Sequence, residues 1–243
     1  MVIRKEWIFV KKGINIWSFK SDMDVIECMD MAKDAGFDGI ELALNETGQV
    51  SLQSSDRDIL DIKKVAEDKG LDTPSLASGL YWSYSPTSMK KEIRDKAKAI
   101  VVRQLEIASL LGADTILVVP GAVGVDFIPD CEIVEYDAAY EYSLQMFTEL
   151  KKDAQEIGVN IALENVWNKF LLSPIEMRDF IDKIGSPYVG AYFDVGNVVY
   201  TGYPEQWIKI LGKRIKKVHF KDFKASIGNI NGFVAYTCLK VFK

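Results

Sequence analysis

Asp114-Thr115-Ile116-Leu117-Val118-Val119-Pro120-Gly121 decides the fold class. From residue 114 to 119 the run is nearly all apolar or β-branched, without the in–out alternation of a strand that has one wet face. Such a run suits a strand buried on both sides, as in a parallel sheet covered by helices. Pro120 and Gly121 close it. Just upstream, residues 88–111 carry a long helical pattern that stops at Gly112. Just downstream, a second helical pattern over 135–157 passes through Gly158 into the strand-like run 159–164.

The same rhythm of strand, helix and glycine extends outward in both directions. Toward the N-terminus, residues 13–17, 38–42 and 71–77 read as strands, separated by helical stretches 23–35 and 56–69. Toward the C-terminus, Ser173-Pro174-Ile175-Glu176 has the form of an N-cap, a proline at the first helical position and an acid in the first turn. Strands are then expected over 188–194 and 215–219, with a helix over 204–211 between them. Repeated units of this kind argue for an α/β protein whose parallel sheet is wrapped by helices, a (β/α)8-type TIM barrel. No composition shift or linker divides the chain, so residues 1–243 are expected to form one domain.

Composition agrees. A chain of 243 residues with 48% hydrophobic and 27% charged content is long enough for one such barrel and can bury a large core. The net charge of −5 offers no general attraction to nucleic acid or to an anionic membrane. No eighteen-residue apolar stretch and no signal-peptide pattern is present, and the three cysteines, Cys28, Cys131 and Cys238, are widely spaced. Reduced thiols and a cytoplasmic location are the expectation.

The candidate site lies at strand ends. Glu164 closes Ile161-Ala162-Leu163-Glu164-Asn165, and Asp194 follows the apolar Tyr192-Phe193. The sole histidine, His219, ends Lys216-Lys217-Val218-His219. Strand C-termini of one barrel converge on one face, and Glu, Asp and His are ligands that first-row divalent ions accept. Three strands ending in three such ligands point to a metal-assisted enzyme.

With those strand ends in hand, the chain resembles the xylose isomerase-like barrel superfamily of sugar and sugar-phosphate isomerases and epimerases, and most of all the ketose and pentulose-phosphate 3-epimerases. The resemblance runs over about residues 13–232. It is carried by Gly36-Phe37-Asp38-Gly39-Ile40-Glu41, Leu111-Gly112-Ala113-Asp114, Leu163-Glu164-Asn165, Phe193-Asp194-Val195-Gly196-Asn197 and Val218-His219-Phe220-Lys221-Asp222. It implies a divalent ion, Mn²⁺ first, with Co²⁺, Zn²⁺ or Mg²⁺ as alternatives, held by Glu164, Asp194 and His219. It also implies Glu164 as catalytic base in proton abstraction beside a ketose carbonyl. A small sugar or sugar phosphate would be the substrate, and a homo-oligomer the assembly. Residues placed to bind that substrate are Glu41, Trp17, Asn197 and Lys221, with Trp82 and Trp167 as further aromatic walls. Asn165 and Asn168 would orient Glu164.

One departure bears on activity. The resemblance implies a fourth ligand, a second Glu, at the end of an eighth strand, yet no Asp or Glu follows Asp222. The eighth β/α unit is therefore expected to be missing or replaced by the short β-prone tail, with residues 233–242 as a surrogate strand or a swapped one. Impaired epimerase chemistry follows as an expectation, with an inactive remnant or sugar-binding barrel as the alternative. Aldose–ketose isomerisation by hydride shift also remains open. Nuclease chemistry, found elsewhere in the superfamily, is disfavoured by the single histidine and the acidic charge.

Overall fold

A computed structural model describes residues 10–223. Among these residues, seven parallel strands lie in sequence order and curl into an incomplete barrel: β1 (Gly13–Asn15), β2 (Gly39–Leu44), β3 (Leu76–Ser78), β4 (Thr115–Val118), β5 (Asn160–Glu164), β6 (Val189–Asp194) and β7 (Ile215–His219). The helices α1 (Val25–Asp34), α2 (Asp56–Asp68), α3 (Lys91–Leu111), α4 (Tyr136–Ile157), α5 (Pro174–Ile184) and α7 (Pro204–Leu211) connect successive strands, and the short α6 (Val195–Val199) follows β6 directly. The expectation for residues 233–242 lies outside the described residues.

Local chemistry explains the element ends. Ser55 caps α2 in a reciprocal capping box with Asp58, and Ser173 accepts from the Glu176 amide ahead of Pro174. The long α3 stops at Gly112, whose φ of 79° is a left-handed conformation that only glycine adopts cheaply. The third strand is shorter than its sequence promises, because Pro74 has no amide to give the ladder. Asp72 still pairs with β2, bonding Asp38 and Ile40 through its backbone, before the chain leaves the sheet and returns at Leu76.

Two apolar layers follow from the period-2 alternation of the strands. The outward residues of the sheet pack with the helices in the main core, which includes Ile116, Val118, Ile161, Leu163, Phe193, Phe147 and Phe180. The inward residues Ala77, Leu117, Ala162 and Tyr192 form a separate cluster inside the barrel. Residues two positions further along two of those strands, Glu164 above Ala162 and Asp194 above Tyr192, share the inward face. The barrel's own packing layer is thus the floor of the site.

Candidate active site

Asp194 and His219 are direct partners in the β6–β7 register, and Glu164 pairs with Tyr192 across β5–β6. Three adjacent strands therefore carry the three candidate ligands. One ligand atom from each of Glu164, Asp194 and His219 lies within 4.8 Å of the others, and His219 Nδ1 is 3.9 Å from Glu164 Oε1. A first-row divalent ion about 2.0–2.2 Å from each N or O ligand holds neighbouring ligand atoms up to roughly 4.4 Å apart. Small side-chain adjustments suffice, so the residues fit such an ion. The charge balance fits as well. Glu41, Glu164 and Asp194 bring three carboxylates to this region, and among the described residues the ammonium of Lys221 stands 3.2 Å from Asp194 Oδ2.

The candidate ligands are held by neighbours rather than by their own strands alone. Asn165, just past Glu164, clasps the backbone of Asp194 at two points. Its side-chain amide donates to the Asp194 carbonyl at 2.8 Å, and its oxygen accepts from the Asp194 amide at 2.8 Å. Asp194 also caps α6, with Oδ1 accepting from the Asn197 amide at 2.9 Å. Gly196 and Asn197 lie inside this short helix. Asn197 is buried there, donating to the Asn165 carbonyl at 2.8 Å and accepting from the Lys221 ammonium.

Glu41 has a place that its sequence position does not announce. The second strand continues to Leu44, so Glu41 stands in mid-strand, buried inside the barrel. Its Oε2 accepts from Asn15 Nδ2 at 2.5 Å and lies 2.8 Å from His219 Nε2. Its Oε1 accepts from Ser75 Oγ at 2.7 Å and from the Tyr192 hydroxyl at 2.7 Å. Burial alone would raise the Glu41 pKa, but the charge of His219 and the bonds from His219, Tyr192 and Ser75 bring it down to about 2. Burial and the Glu41 charge in turn push the Tyr192 phenol well above its usual range, which keeps it a donor. The sequence reading offers Glu41 to a sugar hydroxyl; in the structure both of its oxygens face protein donors.

The remaining candidates divide. Lys221 joins the site, against Asp194, Asn197 and the face of Trp167, whose ring centre is 4.8 Å from the ammonium. Trp17 is 40% exposed in a 3-10 turn after β1, where Asn15 Oδ1 accepts its backbone amide. Trp82 packs edge-on to Phe127 at 5.1 Å, in loops at the same strand ends. Asn168 does not reach Glu164 in the way expected of an orienting residue: its side chain spans to the Gly121 carbonyl at 2.6 Å and holds the loop after β4. A cavity of about 720 Å³ opens from the opposite, N-terminal side of the strands. Gly13, Asp38, Asp72, Lys217, Tyr192 and His219 help line it, and Glu164 and Asp194 do not. Of the three candidate ligands it touches His219, beside Glu41.

The sequence profile of the xylose isomerase-like TIM barrel family matches residues 29–234, which contain Glu164, Asp194 and His219. The chain belongs to this family. Among solved structures it is similar to D-psicose 3-epimerase in the presence of D-fructose, with a TM-score of 0.77 and 20% identity over 88% of this chain and 73% of that one. D-psicose 3-epimerase with D-tagatose, from Clostridium cellulolyticum H10, gives 0.77 and 19% over 94% and 82%. L-ribulose 3-epimerase gives 0.72 and 20% over 88% and 70%. At these identities the likeness is one of fold. No curated protein matches the sequence. Among the described residues no helix is long and apolar enough to cross a membrane.

Proposed function

We propose that the chain is a divalent-metal-dependent epimerase or isomerase of a ketose or its phosphate ester, working by proton abstraction beside the carbonyl. The carrying observation is the convergence of Glu164, Asp194 and His219 from three neighbouring strands within 4.8 Å. Family membership and the 3-epimerases among its structural relatives support the same class. Glu164, Asp194 and His219 would hold the ion, Mn²⁺ in the first instance. When bound, such an ion polarises the carbonyl oxygen and stabilises negative charge that develops there.

The chain's own residues do the rest. Glu164 is the most exposed of the three ligand candidates. On this reading its carboxylate takes the proton from the carbon next to the carbonyl and gives it back. Lys221, held against Asp194 and the Trp167 face, supplies positive charge for a substrate oxygen or a phosphate. Trp17 forms an apolar wall for a sugar ring or chain, and buried Asn197 fixes Lys221. Inversion requires a second acid/base group on the opposite face of the carbon. The second Glu that the resemblance implies has no acidic counterpart after Asp222, and that part of the chain lies outside the described residues. Cytoplasmic location and self-association belong to the same reading.

Two measurements test it. Calorimetric titration of the purified chain with Mn²⁺ is expected to show one site, lost in Glu164→Gln and in Asp194→Asn. Incubation of D-fructose, D-tagatose, L-ribulose and pentulose phosphates in D₂O with Mn²⁺ is then followed by NMR. Deuterium is expected at C3, introduced by proton exchange with solvent. Isomerisation without label from solvent would assign a hydride shift instead, and metal binding with neither exchange nor product would leave a binding protein.

A further inference from the structure

Four donors from four parts of the barrel meet on one buried carboxylate. Asn15 reaches Glu41 from β1, Ser75 from the segment before β3, Tyr192 from β6 and His219 from β7. Their identities leave little freedom. Asn15 Oδ1 accepts the Trp17 amide at 2.7 Å, so its Nδ2 is the group turned to Glu41. An ionised carboxylate only accepts. The histidine nitrogen 2.8 Å from Oε2 must therefore carry a hydrogen. In a neutral imidazole the other nitrogen, Nδ1, then bears the lone pair, and it is the nitrogen 3.9 Å from Glu164. The ring is also held sideways: Tyr192 packs against it with centroids 4.3 Å apart at 60°.

We infer that Glu41 is a positioning residue, which fixes His219 as the Nε2–H tautomer and turns Nδ1 toward Glu164. This deepens the metal-centre reading and rests on it for its purpose. The tautomer itself is independent of any ion. Asn15, Ser75 and Tyr192 are part of the same device: by filling the other acceptor sites of Glu41 they hold its carboxylate in one orientation. Partners on metal-ligating histidines set the tautomer and the ring direction, and removing them typically weakens metal binding about 10- to 100-fold.

The chain contains one histidine, which makes the test clean. Protein labelled with ¹⁵N only in histidine gives a single imidazole in long-range ¹H–¹⁵N correlation spectra. In the metal-free wild-type chain, at a pH where the ring is neutral, the expected pattern is a protonated Nε2 and a bare Nδ1. Added Zn²⁺ should shift Nδ1 and leave the Nε2–H in place. A protonated Nδ1 with a bare Nε2, or a Zn²⁺ shift at Nε2, would overturn the assignment. An Nε2–H pattern without any response to Zn²⁺ would uphold Glu41's role and remove the metal reading, so the two fail separately. In Glu41→Ala the tautomers should mix and Zn²⁺ affinity should fall about 10- to 100-fold. Tyr192→Phe, which keeps the carboxylate, should retain the Nε2–H pattern; loss of that pattern in Tyr192→Phe alone would assign the positioning to Tyr192 instead. Unchanged tautomer and affinity in a folded Glu41→Ala would refute the inference.

Discussion

Asn165→Ala is the perturbation with the clearest structural arithmetic. Asn165 is buried, and its amide closes both backbone polar groups of Asp194, each at 2.8 Å. Alanine removes both bonds: the buried Asp194 amide loses its acceptor, while its carbonyl, at the N-cap of α6, keeps the first turn of that helix as a donor. The unpaired N–H costs about 1–3 kcal/mol and the lost bond to the carbonyl about 1 kcal/mol. Allowing for partial relaxation, a total near 3 kcal/mol is expected, roughly two powers of ten in the folding constant. With a urea slope of about 3 kcal/mol per molar, reasonable for a chain of this size, the midpoint should fall by about 1 M. Tryptophan fluorescence follows the transition. Asn165→Asp is the informative companion: it keeps an acceptor for the Asp194 amide but sets a carboxylate oxygen against the Asp194 carbonyl. It should lose at least as much stability as alanine. A midpoint shift below about 0.2 M for Asn165→Ala, equivalent to roughly half a kcal/mol, would show that the clasp does not hold β5 to β6.

Other substitutions test other links. Lys221→Met removes the ammonium that stands 3.2 Å from Asp194 Oδ2, so a divalent ion no longer competes with it; Mn²⁺ should bind several-fold more tightly by calorimetry, while any affinity for phosphorylated ligands falls. Gly190→Ala would place a methyl carbon 2.3 Å from the Arg214 carbonyl where β6 passes β7, a backbone contact that cannot step aside. A loss of about 3 kcal/mol is expected in urea unfolding, and a loss under 1 kcal/mol would mean the strands separate more easily than drawn. Phe147→Ala, at a fully buried position of α4 in the layer between sheet and helices, should cost about 3–5 kcal/mol with Mn²⁺ affinity of the folded fraction unchanged.

What could be read from sequence follows how local each signal is. Glu164, Asp194 and His219 were visible because each ends a β-prone run, and strand ends of a parallel barrel share a face whatever the helices between them do. The fold was visible for the same reason: β4 is apolar on both sides, and helix-ending glycines such as Gly112 mark the units. Glu41 was only half visible. Its one signal was an acid in a run otherwise fit for complete burial, which requires partners. Those partners, Asn15, Ser75, Tyr192 and His219, lie 26, 34, 151 and 178 residues away, and only barrel curvature brings them in. The α6 helix was hidden because glycine and asparagine favour turns, whereas here the Asp194 cap and the pull of Lys221 and Asn165 on Asn197 make the helix. Asn168 looked like a neighbour of Glu164 because it is near in sequence, but the chain turns beneath the β4 loop and its amide is spent there.

The bond between Glu41 and His219 joins residues 178 positions apart. The three ligand candidates, by contrast, come from strands that are nearest neighbours late in the chain. As the polypeptide is made, Glu164 and Asp194 can settle side by side while β7 is still unbuilt. The loop that must close to bring His219 against Glu41 spans most of the protein, and its entropic cost is met only when the intervening strands are already in place. Loop entropy alone would place the Glu41–His219 bond among the last contacts to form, so a half-assembled chain would carry the acids before the histidine is turned. Readiness for a cation would then report that the two ends of the sheet have come round to face each other.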